Sequence, residues 1–529
     1  MAVQFQRHVS TKRTPQSEPI LGTTQVENNA GGYSWAVGDW VRLDRFLVLG
    51  TEGGTYYTNE HKLTRDAAAA VFRCIEADGP RTVRRIVEIS QAGRAPKNDP
   101  ALFALALCAS ATSQATRRIA LENLPHVARI ATHLFTFLTY VQEFRGWGRA
   151  LRNATARWYE DKTVEALAYQ MVKYRQRGGW THRDVLRKSH PDVPKHRALF
   201  DWATHGKVTA KLPQIVSDFI VLQSADLKTA VRLIAENPSL TWEMVPSEIL
   251  GKRDIWAALL PNMPMTAMIR NLGRMTANGL IMPLSDATTS AVAKLSDEAA
   301  IRKARVHPIS VLAALSTYAL GHGVRGSLMW APVSQVIDAL DAAFYTAFGN
   351  VEPSGARHVL ALDVSGSMSW GEVSGVPGLT PLIAAAAMSL VTAATEPAVT
   401  TVAFSHEMVP LPISPRERID DVMRRTRGLP FGGTDCALPM IWARQEGVRA
   451  DVFVIYTDSE TWCGNIHPVQ ALRDYRASMG IPAKLVVVGM EGNDFTIADP
   501  EDAGMLDVVG FDTATPQVIS DFTAQAVTQ

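Results

Sequence analysis

The chain has 529 residues, of which 47% are hydrophobic and 20% charged, and its formal net charge is +1. These are the proportions of a soluble globular protein with room for two or more domains. Its longest apolar runs, such as 102–111 and 383–394, are too short and too Ala-rich for a membrane span, and the N-terminal residues show no apolar signal core.

Four cysteines, Cys74, Cys108, Cys436 and Cys463, have neither Cys-x-x-Cys nor zinc spacing. They read as thiols of a reducing compartment, so the expected setting is cytoplasmic, without disulfides and without a membrane. The charge is unevenly spread. Residues 351–529 hold 11 Lys and Arg against 22 Asp and Glu, whereas 140–215 hold 15 basic against 7 acidic residues. A basic half joined to an acidic half suggests a nucleic-acid surface on the first, or two halves that neutralise each other across an interface.

In chain order, 1–28 is polar, aperiodic and Pro-spotted, and predicts a disordered tail. Residues 42–63 place two β-forming runs around Thr51-Glu52-Gly53-Gly54, which predicts a hairpin. From 64 to 347 apolar residues recur at helical spacing in segments broken by Pro, Gly or polar clusters. Such a series predicts an irregular α-solenoid, with a globular helical domain as the other arrangement. Residues 350–355 read as a linker. Beyond it apolar strand-like runs alternate with helical ones (359–364, 380–395, 399–405, 415–427, 436–446, 451–457, 467–479, 483–489, 508–511, 516–526), the pattern of a doubly wound parallel sheet.

The most cationic stretch is 160–190. On a helix over 163–177, Val164, Leu167, Ala168 and Met171 share one side, while Tyr169, Lys173 and Arg177 share the opposite one. Gly178-Gly179 ends that helix, and a second carries His182, Arg183, Arg187 and Lys188, with His190 at its end. Cations neutralise phosphates, and aromatic and guanidinium planes stack on unpaired bases, so the stretch suits RNA; it equally suits an ordinary solvated face.

A second constellation begins at 359–362, an apolar run that ends in Asp363-x-Ser365-x-Ser367. A carboxylate and two hydroxyls at a strand's C-terminal end suit a hard cation such as Mg2+. Two later stretches complete the set: the Gly-rich turn Gly432-Gly433-Thr434-Asp435, and the run 451–458 ending in Asp458. The three together resemble the metal-ion-dependent adhesion site of von Willebrand factor A domains. On that resemblance Asp363, Ser365, Ser367, Thr434 and Asp458 form the metal site.

The motifs RLDRFLVLGTEGGTYY, PALFALALCAS, KYRQRGGWTHRDVLRKSH, GGTDCALPMIWA, PAKLVVVGM and FTIADPEDAGMLDVVGFDT run through both halves in order. They resemble the Ro ribonucleoprotein family, whose members carry a TROVE domain. The NNAGG start and short tail resemble bacterial members. The resemblance implies an α + α/β fold: a ring-like α-solenoid of HEAT-like repeats (29–350), after a tail (1–28), followed by a doubly wound parallel-sheet von Willebrand A domain (356–529). It implies a non-enzymatic ribonucleoprotein acting in RNA quality control. Small structured RNA of the Y type would bind the outer basic surface through Lys173, Arg177 and His190, and single-stranded 3′ ends of misfolded RNA would bind in the ring's hole. Bacterial relatives imply an exoribonuclease tethered through the RNA. The other readings are a metal-dependent interaction module, whose Mg2+ takes a last ligand from an acidic protein partner, and a Mg2+-dependent RNA-processing enzyme. Against the enzyme stands a hydroxyl-dominated ligand set with no evident base beside it.

Overall fold

The computed structural model describes residues 12–49, 68–323, 327–348, 351–370, 373, 379–414, 417–426, 432–491, 493–510 and 512–524. The chain divides into two units by its internal packing: 71–347, and the flanks 1–70 with 348–529.

The second unit's centre is a six-stranded sheet, ordered Met505–Val509, Lys484–Gly489, Val452–Thr457, Arg357–Asp363, Ala398–Phe404 and Met408–Pro410. The first five strands are parallel, and Met408–Pro410 adds an antiparallel edge that periodicity alone did not reveal. Val452–Thr457 and Lys484–Gly489 are buried on both faces, which is why they read as unbroken apolar runs. The expected alternation holds: helices Pro381–Thr395, Ile419–Thr426, Leu438–Gln445, Pro468–Met479 and Thr515–Ala524 occupy the predicted positions. After Arg357–Asp363 the chain pairs first on one side and later on the other, so strand order reverses at this strand. Its C-terminal end is therefore a topological switch point, where open α/β sheets bind ligands.

The N-terminal segment departs from expectation. Residues 1–11 lie outside the described residues, but 12–28 are ordered and pack on this sheet domain. Gln16 and Ile20 are buried, and Tyr33–Ala36 lies between Val26–Glu27 and Phe495–Thr496 in a small antiparallel sheet. Polar composition suggested disorder, yet here polar side chains find buried partners more than 400 residues away. The hairpin expected over 42–63 is also replaced: Asp39–Leu49 is a helix, and 50–63 lies outside the described residues. Its Arg45, 1% exposed, makes paired bonds to both oxygens of Asp507 at 2.8 and 2.9 Å. A helix that buries one face on the sheet domain overrides the weak strand preference of Phe46, Leu47 and Val48.

The first unit is the predicted succession of short helices, from Ala69–Ala92 to Ser334–Ala347. The former bends at Asp78, just before Pro80, where the sequence predicts a break. The series closes on itself. Arg305 Nη1 donates to Gln91 O at 2.7 Å, and His307 Nε2 lies 2.9 Å from Arg94 O, both across more than 210 residues. Among the described residues no helix is long and apolar enough to cross a membrane, and all four cysteines are free thiols.

Candidate functional site

Asp363 ends one strand and Asp458 follows its neighbour; the parallel register sets Leu362 opposite Tyr456. Thr457 Oγ1 donates to Asp363 Oδ2 at 2.7 Å, and the N–H of Ser365 to Asp363 Oδ1 at 2.8 Å. Ser365 and Ser367 hydroxyls lie 3.0 Å apart. The turn that carries Thr434 is tied to the 458–462 loop: the N–H of Trp462 donates to Thr434 O at 3.0 Å. All five residues proposed from sequence are buried; Asp363, Ser365, Ser367 and Asp458 act on one another, and Thr434 is joined to the loop after Asp458.

Their electrostatics suit a cation. Two carboxylates share a buried site, and burial together with the Asp458 charge pushes Asp363 up to about 7. Burial also raises Asp458, against the opposing effect of the Ser367 hydroxyl. Thr434 Oγ1 and Asp458 Oδ2 are buried with no hydrogen-bond partner. Such orphan oxygens are costly in a finished core and are what a hard cation would satisfy. Among the described residues no three of His, Cys, Asp and Glu converge as metal ligands, as expected where three of the five groups are hydroxyls.

Sequence reasoning missed Glu460. It is fully buried, with Oε2 unpartnered and Oε1 held by Asn29 Nδ2 at 2.8 Å. Burial, then the neighbouring Asp458, pushes it up to about 7. A third carboxylate therefore stands by the site, where the sequence suggested no base. Its position two residues after Asp458 was the available signal.

The basic stretch folds differently from the wheel. The helix Val164–Lys173 stops at Tyr174, and Gln176–Arg177 pairs with Trp180–Thr181 across Gly178-Gly179. Both glycines have positive φ, +56° and +80°, as a two-residue I′ hairpin requires. Arg177 thus sits on a hairpin, exposed, with its charge in reach of His133 and Tyr140. Thr181 and Asp184 form a capping box that starts the next helix, His182–Ser189. His190 ends it in the left-handed conformation, also exposed. That helix is about 12 Å long, so Arg177 and His190 flank a short ridge.

Lys173 does not face open solvent. Its side chain is 10% exposed, bonded to Tyr169 Oη at 2.9 Å and 3.8 Å from Glu243. Burial opposes its charge, but the Tyr169 bond and Glu243 outweigh that and hold the ammonium above its ordinary range. The tertiary neighbour Glu243 was invisible to a single-helix wheel. His182 also leaves the cationic cluster. It is buried, its Nε2 donates to Tyr174 O at 3.1 Å, and its Nδ1 therefore accepts from Tyr159 Oη at 2.9 Å. Burial brings it down to about 4, which keeps it neutral. Lys188 covers the stacked rings of Trp147 and Trp180 from 5.5 and 5.9 Å.

The architecture, a parallel-sheet unit and a unit of short helices, agrees with the comparisons. A family described as "TROVE domain" matches residues 26–216 and 228–317, and one described as "Ro60 vWA domain" matches 357–523. The chain belongs to the Ro60 family. The "RNA-binding protein RO60" of Deinococcus radiodurans is 43% identical over 523 residues, 98% of each chain. The protein of that name in Caenorhabditis elegans is 36% identical over 594 residues, 97% of this chain and 92% of that one. The crystal structure of the Deinococcus radiodurans RO (RSR) protein superimposes with a TM-score of 0.70, covering 92% of this chain and 99% of that one. The Ro60 match spans both units, so the von Willebrand A and helical assignments made from sequence hold together.

Proposed function

We propose that this Ro60-family chain is an RNA-binding protein that holds a small structured RNA of the Y type on the ridge between Arg177 and His190. The observation that carries the reading is the exposure of these two groups beside Arg183, Arg187 and Lys188. These cations follow one another along a hairpin and the helix it starts, as phosphate contacts need. Lys173 takes part less directly, through its charge and its bond to Tyr169. Relatives named for RNA binding support the class of ligand. Single-stranded ends of misfolded RNA are a second ligand in this reading, taken by another part of the helical unit, and the protein serves RNA quality control as a ribonucleoprotein in the cytoplasm. An exoribonuclease would reach it through the bound RNA. The test is filter binding of a structured RNA and a single-stranded RNA against wild type and Arg177→Ala. Equal loss of both ligands would overturn the two-site reading.

The strand-end site is proposed to take Mg2+. Asp363, Ser365, Ser367, Thr434 and Asp458 would hold it, the two carboxylates supplying charge and the hydroxyls neutral oxygens. The orphan Thr434 Oγ1 and Asp458 Oδ2 support that fit. The bound ion would supply a Lewis-acidic position for an acidic group of a protein partner. Asn29 holds Glu460 through Oε1, and Thr457 orients Asp363. The reading is one of binding without catalysis: RNA on the helical unit, an acidic protein on the metal.

A further inference from the structure

The ridge borders a cleft that shares Arg187 and His190 with it. It lies between the helices His182–Ser189 and Arg197–His205, has a volume of about 640 Å³, and is lined by His190 itself. We infer that this cleft is a pocket for one unpaired nucleobase of the bound RNA, a base with an amino edge such as guanine. The inference rests on the RNA reading above and names a subsite of that same surface.

Three observations carry it. The volume lies within the range of small-ligand pockets, enough for one nucleotide. The lining combines an aromatic ring with both signs of hydrogen-bonding group: Phe200 and Leu186 are apolar, Arg187 and Arg197 donate, Asp192 and Asp201 accept. Two cations balanced by two carboxylates make a poor phosphate track. They make a good frame for a base edge, which offers donors and acceptors side by side. The third is the backing of the ring. Phe200 packs against the buried His196, their ring centres 5.7 Å apart, so the ring is braced for stacking.

His205 adds an acceptor. Thr204 Oγ1 donates its only proton to Phe200 O at 2.5 Å, so His205 Nδ1, 2.9 Å from the same oxygen, must donate to it. In the tautomer with its proton on Nδ1, Nε2 is left as an acceptor. An exocyclic amine could thus bond to Asp192, Asp201 or His205, while the guanidinium groups take the keto and ring-nitrogen side.

The experiment uses the full chain and three hairpin RNAs of one stem sequence: fully paired, with a single bulged guanosine, and with an abasic residue at the bulge. Wild type should bind the bulged RNA about tenfold more tightly than the abasic one, since stacking of one base is worth roughly 1–3 kcal/mol. Phe200→Ala should abolish that difference while leaving the paired RNA and the salt dependence unchanged, and Phe200→Tyr should restore it. Should Phe200→Ala melt out, Asp201→Asn takes its place, with loss of preference for guanosine over uridine at the bulge. Equal binding of bulged and abasic RNA by wild type overturns the pocket alone. So does a Phe200→Ala protein that still discriminates. Failure of wild type to bind any of the three overturns the RNA reading and the pocket with it.

Discussion

Gln16 Nε2 donates to Asp435 Oδ1 at 2.6 Å, joining residues 419 positions apart. The same amide reaches Ile466 O at 2.9 Å, and its oxygen accepts from the Thr461 hydroxyl and from Gly464 N at 3.3 Å. One buried side chain from the N-terminal segment therefore braces both the turn that carries Thr434 and the loop after Asp458. Gln16→Ala strands these partners, a loss of roughly 1–3 kcal/mol for buried groups. The expected outcome is a lower melting temperature and weaker Mg2+ binding by calorimetry. A variant that matches wild type in both would show that Gln16 only fills space.

Asp363→Ala should abolish Mg2+ binding, because it removes one of the two carboxylates proposed to hold the ion and leaves Thr457 without its acceptor. Structured-RNA affinity should be unchanged, and EDTA should leave it unchanged in wild type. Calorimetry and filter binding on the same preparation check both halves. Loss of RNA affinity in a folded Asp363→Ala protein would contradict the division of labour between the units.

Salt dependence separates the two cations that a helical wheel treats alike. Each phosphate contact contributes about 0.9 to the slope of log K against log salt on a duplex. Exposed Arg177 should yield about one unit on replacement by Ala. Lys173, already beside Glu243, should yield less, and Lys173→Ala should cost stability through the lost Tyr169 bond. Identical slopes for the two variants would contradict the burial of Lys173.

Acid should weaken the helical unit through its neutral histidines. His182 and His133 both lie at about 4 in the folded chain, against an ordinary value near 6.5. Between those values the unfolded chain binds protons that the folded one refuses. Stability is therefore fully present above about pH 6.5 and falls as pH drops toward 4, by about 3 kcal/mol for His182. Urea unfolding from pH 7 to 4.5 measures the slope. His182→Gln should flatten it by about 1.4 kcal/mol per pH unit; an unaltered slope would mean that His182 does not titrate this way.

Thiol titration of the unfolded protein without reductant should find all four cysteines free. Cys74, Cys108 and Cys436 are buried while Cys463 is half-buried; burial raises Cys463 too, to about 11, so before unfolding only Cys463 should react, and slowly. Two groups or none on unfolding would contradict this.

Periodicity and strand ends are local properties, and they were legible. Buried parallel strands read as apolar runs, amphipathic helices as 3.6-residue spacing, and the carboxylates of Asp363 and Asp458 as abrupt polar ends to those runs. The cationic character of 160–190 was equally plain, since charge is read directly from residue type. What tertiary structure alone decided are relationships between residues far apart in the chain. No local pattern says that Gln16 is buried against Asp435, that Arg45 pairs with Asp507, or that Glu243 approaches Lys173. A polar, aperiodic N-terminal segment looks disordered until its partners arrive, because the free energy that orders it comes from the sheet domain it packs on. Gly178-Gly179 marked the end of a helix in sequence. Only the packing of the hairpin on its neighbours showed that Arg177 had already left that helix, which moved it from a solvated helix face to the end of a ridge.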